Sequence, residues 1–280
     1  MLDLWQYAFL QRALISAIVL GLTCSVMGVF IVLQGLSFVS AGIAHGAFAG
    51  VALALLLGFN PLLGAAGTAL LMALLIGQTK RRGQLNLDAS IGIVFSAALA
   101  LAVLFIGLMP GYTADLMGYL FGNLLAVSTT DLWVSIAVGA VVLATIALFY
   151  KEFQFTAFDP VMAEAAGLPV KALFDGLLVL VSLAIVISLK AAGELLVIAF
   201  IVIPASTAWQ WSSSLGKMIL LSACFGVSAA VLGLVVSYYL DIPTGASIVL
   251  ILILFFAASS VLAPQRRTVR RKRGLEVKEV

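Results

Sequence analysis

The sequence predicts an all-α polytopic membrane protein with eight or nine transmembrane helices and one short helix held outside the membrane. Three observations predict it. Of 280 residues, 64% are hydrophobic and 10% charged, against about 45–50% and about 25% in soluble domains; the mean hydropathy is +1.23. Apolar runs recur along the chain at close to the length that crosses about 30 Å of hydrocarbon. Finally, of the 15 Lys and Arg residues, all but Arg12 and Lys190 fall in alternate breaks or in the tail.

Residues 1–12 carry Trp5, Tyr7, Phe9 and Arg12, an interfacial aromatic segment. Ala13–Leu33 is the first span and has no small-residue cleavage site, so it is not a removed leader. After the polar break Gln34–Ala41, two short apolar runs, Gly42–Leu57 and Leu62–Gly77, flank Asn60-Pro61. At about 16 residues each they fall slightly short of a full crossing. A basic break at 79–88 precedes the span Ala89–Leu108. Met109–Thr130, with Pro110-Gly111 and Asp115, suits a partial or interfacial helix, and Asp131–Tyr150 spans again. Ala172–Leu189, Leu195–Trp211, Met218–Leu240 and Ala246–Leu262 complete nine apolar runs. A membrane domain of 1–262 is followed by a basic tail, 263–280.

Lys80, Arg81, Arg82, Lys151, Lys171, Lys217 and the basic tail belong on the cytoplasmic side by the positive-inside rule. Nine spans would place the N-terminus outside and eight inside.

The stretch 151–171 is polar and well punctuated. Asp159 suits an N-cap, Pro160 the first helical position, Gly167 the position after the C-cap, and Pro169 prevents resumption. A helix over Pro160–Ala166 would be about 10 Å long. So short a helix needs a neighbour to hold it, and its expected apolar contacts are Phe158, Val161, Met162 and Leu168, with Glu164 at the edge.

His45 is the only histidine. It lies beside Gly42, Gly46 and Gly50, a ridge of small residues that lets another helix approach closely. An ionisable group inside a span is a functional candidate, the other reading being a hydrogen-bonded structural histidine. Glu194 follows Lys190 by four residues and reads first as its interfacial ion-pair partner and second as a ligand. Asp241, in Asp241-Ile-Pro-Thr-Gly245, reads first as a turn carboxylate. Pro204 predicts a kink, with Ser206 and Thr207 following it, either lining a path or packed on protein. Cys24 and Cys224, both in apolar runs, read as small buried residues.

There is no Gly-x-x-x-x-Gly-Lys-Ser/Thr loop, so the chain is not itself a P-loop ATPase. It has no His-Glu-x-x-His, which argues against an intramembrane zinc protease, and no other catalytic constellation supports an enzyme. Few carboxylates lie within spans, which weakens a carrier driven by carboxylate relays.

Six stretches together resemble the metal ABC-3 permease family, the membrane subunits of ABC importers for manganese, zinc or iron. They are Phe9–Leu14, Gly35–His45, Tyr119–Ser128, Phe158–Pro160 with Ala165–Pro169, Ile203–Ala208 and Leu240–Ala246, in order over nearly the whole chain. The resemblance implies a homodimer in a prokaryotic cell membrane. A cytoplasmic ATPase would sit on each protomer and an extracytoplasmic metal-binding protein would deliver Mn, Zn or Fe. No cofactor bound by this chain and no nucleic acid is implied. Phe158, Asp159, Pro160, Val161, Met162, Glu164, Ala165, Ala166, Gly167 and Leu168 then match the family's coupling helix. His45 matches the motif histidine that contacts the ion, with Glu194 and Asp241 as further metal candidates. Many members carry Asp four residues before this histidine; here that position is Ala41. The alternatives are a permease for a metal chelate of the siderophore or cobalamin kind, and a stand-alone secondary metal carrier.

Overall fold

Lys80, Lys151, Lys171 and Lys217 come from four separate helices, and the fold gathers those four helix ends at one end of a helical bundle. In the computed structural model, the described residues are 7–82, 87–109 and 114–263. Trp5, residues 83–86, Pro110-Gly111 and the tail from Pro264 onward lie outside them. Among the described residues there are eleven α-helices and no strand. They run α1 Ala8–Leu33, α2 Ser37–Leu57, α3 Pro61–Arg82, α4 Leu87–Gly107, α5 Ala114–Phe121 and α6 Thr129–Leu148. Then come α7 Tyr150–Phe158, α8 Pro160–Ala165, α9 Val170–Trp209, α10 Leu215–Leu240 and α11 Thr244–Leu262. Eight of them are long and apolar enough to cross a membrane.

The two short apolar runs become full-length helices. Ser40 Oγ donates to the Ser37 carbonyl at 2.8 Å, so the polar break is absorbed into the first turn of α2, which reaches 21 residues. Asn60 Oδ1 accepts the Leu62 amide at 2.9 Å and caps α3, which reaches 22 residues. Between them Gly58, at φ 75, ends α2 in the left-handed region. The Met109–Thr130 stretch holds the expected partial helix, α5.

The 40-residue α9 is twice what one crossing needs. Its backbone breaks at Gly193, with φ 76 and ψ 161. Ser188 and Ile201 would lie about 20 Å apart along a straight helix. Yet Cys24 Sγ is 3.4 Å from Ser188 Oγ, and Gly28, one turn further along α1, packs its Cα on the Ile201 carbonyl. One short length of α1 can touch both only if α9 doubles back at Gly193. The first arm runs antiparallel to α3, with Asp175 beside Gly77 and Ser182 Oγ donating to the Ala69 carbonyl at 3.3 Å. The two arms are the sixth and seventh apolar runs expected from the sequence, Ala172–Leu189 and Leu195–Trp211.

The chain reversal is at Gly193 and not at Pro204, where the sequence predicts a kink. α9 keeps helical angles through Pro204, and Thr207 Oγ1 returns to the Ile203 carbonyl at 2.7 Å. The flexible residue, Gly193, and not the donor-less one sets the bend. Cys24 is buried as expected, but Cys224 is exposed on α10, because that helix buries only one side against α1. Gly21 and Ser25 of α1 meet Gly226 of α10 on that buried side.

At the basic end, the Phe30 ring of α1 stacks on Phe153 of α7 at 5.8 Å. Gly216 of α10 lies near the Tyr150 hydroxyl, and a cleft of about 210 Å³ opens between Gln34, Phe153, Pro160 and Phe174. α7 was not anticipated; its helix starts only one residue after α6 ends, so the sequence shows no break between them. α8 follows α7 directly.

Candidate functional site

His45 sits one turn after Ala41 on α2, with Gly42, Gly46 and Gly50 on the adjoining side. Gly50 packs on the Gly64 carbonyl and Thr68, Gly46 on Met72, and a Cβ on Gly42 would lie 3.9 Å from Ile76 of α3 and 3.7 Å from Ile91 of α4. The glycine ridge therefore seats α3 closely, as its spacing suggested. His45 is left facing α4 and the corner of α9. Its ring lies 4.4 Å from that of Phe95 at 38°, and its Nδ1 lies 2.5 Å from Glu194 Oε1.

This is a buried pair. The Glu194 side chain is 3% exposed and that of His45 19%. The Ala41 carbonyl, 3.1 Å from Nδ1, can only accept, so a proton on Nδ1 faces both that carbonyl and the carboxylate, and Nε2 is left free. Glu194 Oε1 has Nδ1 as its close partner and no further hydrogen-bond donor. A buried carboxylate oxygen left in this way is costly. A cation near the pair would satisfy it, and imidazole with carboxylate is a donor set that suits borderline divalent ions.

The expected Lys190–Glu194 ion pair does not form. Gly193 turns the chain between them, so the two side chains leave in different directions. Lys190 Nζ instead meets Asp131 of α6, at 2.9 Å from both carboxylate oxygens. The Asp131 amide donates to Ser128 Oγ at 3.2 Å and the Ser128 amide to Asp131 Oδ2 at 3.3 Å, closing a capping box at the start of α6, and Ser128 Oγ also donates to that carboxylate at 2.6 Å. The capping box was legible as Ser128-x-x-Asp131; the pairing with Lys190 spans too much sequence to be read.

Asp241 is exposed and caps the end of α10 in the left-handed region, φ 53. Among the described residues no third His, Cys, Asp or Glu joins a cluster able to hold a metal. Ser206 is half-buried, and Pro204 and Thr207 are buried in the second arm of α9. Phe95 is the contact that sequence reasoning missed: an aromatic in an apolar run carries no signal of what it covers.

At the basic end, α8 has the punctuation the sequence specified. Asp159 Oδ1 accepts the Met162 amide at 2.9 Å, and Pro160 opens the helix. Gly167, at φ 86, lets its own amide reach the Glu164 carbonyl and that of Leu168 the Ala163 carbonyl, each at 3.0 Å, the Schellman arrangement. Ala163 is buried and holds α8 to the bundle, whereas Phe158, Val161 and Met162 are 62%, 75% and 57% exposed. Leu168 is half-buried, and Glu164, Ala165 and Ala166 are exposed.

The chain matches the ABC 3 transport family over residues 6–263. It is 41% identical over 263 residues to the manganese transport system membrane protein MntC of Listeria monocytogenes, covering 94% of each chain. It is 40% identical over 269 residues to the manganese import system permease protein ScaB of Streptococcus gordonii, covering 96% of each. Its fold is similar to the solved structure of PsaBC from Streptococcus pneumoniae in complex with Fab. There the TM-score is 0.86 at 39% identity, over 96% of this chain and 97% of that one.

Proposed function

The chain belongs to the ABC 3 transport family, and on that premise we propose that it is the permease subunit of an ATP-binding cassette importer for divalent metal ions, manganese foremost. Relatives at about 40% identity over nearly the whole chain are named as manganese transporters, which supports manganese over zinc or iron. The observation that carries a metal path through this chain is the His45–Glu194 pair: a buried imidazole and a carboxylate oxygen 2.5 Å apart, the oxygen with no further hydrogen-bond donor. Asp241, exposed at a helix cap, is a weaker candidate ligand than Glu194. Two protein donors make a weak site, which suits a path that must release its ion.

Energy enters from a separate ATPase, since the chain has no nucleotide loop. α8 is the element that meets it. Its exposed Val161 and Met162, with Phe158 at the end of α7, form an apolar face about a capped helix too short to be stable alone. A second copy of the chain and an extracytoplasmic metal-binding protein complete the importer. The basic residues at the α8 end and in the C-terminal tail support a cytoplasmic side for both, in a prokaryotic cell.

Uptake of radiolabelled Mn2+ into proteoliposomes holding permease, ATPase and delivery protein tests this, with Zn2+ and Fe2+ competing. ATP-dependent Mn2+ entry that His45→Ala and Glu194→Gln reduce is expected. Uptake unchanged in both variants at limiting metal would remove the pair from the path. Entry of a chelate but not of the free ion would replace the function itself, and entry without the ATPase would point to a secondary carrier.

A further inference from the structure

Glu194 is one residue past the corner of α9, and that corner is crowded in an unusual way. Gly193 holds φ 76 and ψ 161, a combination open essentially to glycine alone. A Cβ on Gly193 would strike the Gly122 amide nitrogen and lie 2.5 Å from the Phe121 carbonyl carbon. Gly122, itself at φ 73, would in turn drive a Cβ into the Ala192 carbonyl. From a third side comes Gly245, the second residue of α11, where a Cβ would lie 2.7 Å from Phe121 O and 3.6 Å from Ala192 O. The end of α5, the corner of α9 and the start of α11 thus meet backbone to backbone. The left-handed glycines at 35, 58 and 167 are different: a Cβ there meets nothing within 4 Å. Their role is a turn, whereas at 193 a turn and a three-way contact coincide.

The residue that emerges from this contact is the buried carboxylate that reaches His45. Beyond His45 Nδ1 no donor holds its Oε1, so the backbone corner behind it sets how the carboxylate reaches the imidazole. We propose that Gly122, Gly193 and Gly245 form a clamp that sets Glu194 against His45, and that these glycines are positioning residues for the metal path. The proposal rests on the reading of His45–Glu194 as the ion site. Shifting the corner by the width of a methyl group moves the carboxylate relative to the imidazole and leaves both donors present. Loss of such supporting contacts typically weakens metal binding by roughly 10–100-fold.

Equilibrium binding of Mn2+ alone to the permease–ATPase complex in nanodiscs, read from loss of the free-ion EPR signal, tests the clamp. Gly245→Ala is the first variant, because its backbone angle is ordinary and only the contact changes. Gly193→Ala, which changes the angle, stands in if Gly245→Ala does not assemble. The expected result is a dissociation constant raised roughly 10-fold, with the thermal midpoint within a few degrees of wild type and Gly67→Ala, whose Cβ meets nothing within 4 Å, without effect. In a Glu194→Gln background, Gly245→Ala should add nothing, because it acts through that carboxylate. Wild-type binding by Gly245→Ala, with binding weakened in Glu194→Gln, would overturn the clamp and leave the site. An equal penalty with and without Glu194 would overturn it too. Wild-type binding by both His45→Ala and Glu194→Gln would instead overturn the site on which the clamp depends.

Discussion

Lys190 and Glu194, four residues apart, do not pair: Gly193 reverses the chain between them, sending Lys190 to Asp131 and Glu194 to His45. The two ion pairs at the corner of α9 differ sharply in burial, and the differences set what each substitution should do.

Removing the imidazole leaves a carboxylate, 3% exposed, without its partner. Breaking a buried pair from one side costs about 3–5 kcal/mol, so His45→Ala should lower thermal stability in detergent clearly. His45→Ala with Glu194→Gln should recover most of that stability while leaving Mn2+ uptake low. A double variant as unstable as the single one would show that the carboxylate is held some other way.

The Lys190–Asp131 pair is different, since the Lys190 side chain is 53% exposed. Exposed pairs contribute about 0–1 kcal/mol, so Lys190→Ala should hardly move the unfolding midpoint. Asp131→Ala removes the pair and also half of the capping box at α6, worth a further ~1 kcal/mol. Parallel unfolding curves should therefore rank Asp131→Ala below Lys190→Ala.

Helix contact predicts opposite outcomes for two glycine-to-alanine changes. On Gly28 a Cβ would run into the Ile201 carbonyl, while on Gly67 it meets nothing within 4 Å. Gly28→Ala should force α1 from the second arm of α9 and reduce the yield of folded protein. Gly67→Ala should be neutral or stabilising by up to ~1 kcal/mol through helix propensity. Yield and midpoint in the same detergent check both.

At α8, Val161 is 75% exposed, so Val161→Asp should leave the fold intact and disturb only what docks there. The expected result is ATP hydrolysis no longer matched by Mn2+ uptake in proteoliposomes. Asp159→Ala removes the cap on Met162 and should loosen the helix by ~1 kcal/mol, read as faster amide exchange over 160–165. Coupled transport in Val161→Asp would remove α8 from the ATPase contact.

How much of this was legible depended on range. The span count, the partial helix before Ser128 and the capped α8 were all readable, because apolar length and capping chemistry act within one or two turns. The glycine ridge beside His45 was readable for the same reason. What failed was long-range or competitive. Pro204 looked like the break because it lacks a donor, yet Gly193, one of 25 glycines, is where three backbones converge. Glu194 was assigned to its sequence neighbour because nothing local announces a histidine 149 residues earlier. Cys224 was misjudged because an apolar run does not say which of its sides meets lipid.

The corner of α9 also has a mechanical meaning. Both arms return to the basic end, the first arm starting at Val170 just past α8 and the second ending at Trp209 just before α10. The helix is therefore a pair of tongs with its grips at the α8 end and its pivot beside Glu194. A tug on α8 is applied to one grip only. It need not travel through the whole bundle to reach the carboxylate: changing the angle between the tongs turns the pivot, and the glycines that pack the pivot decide how far it can turn.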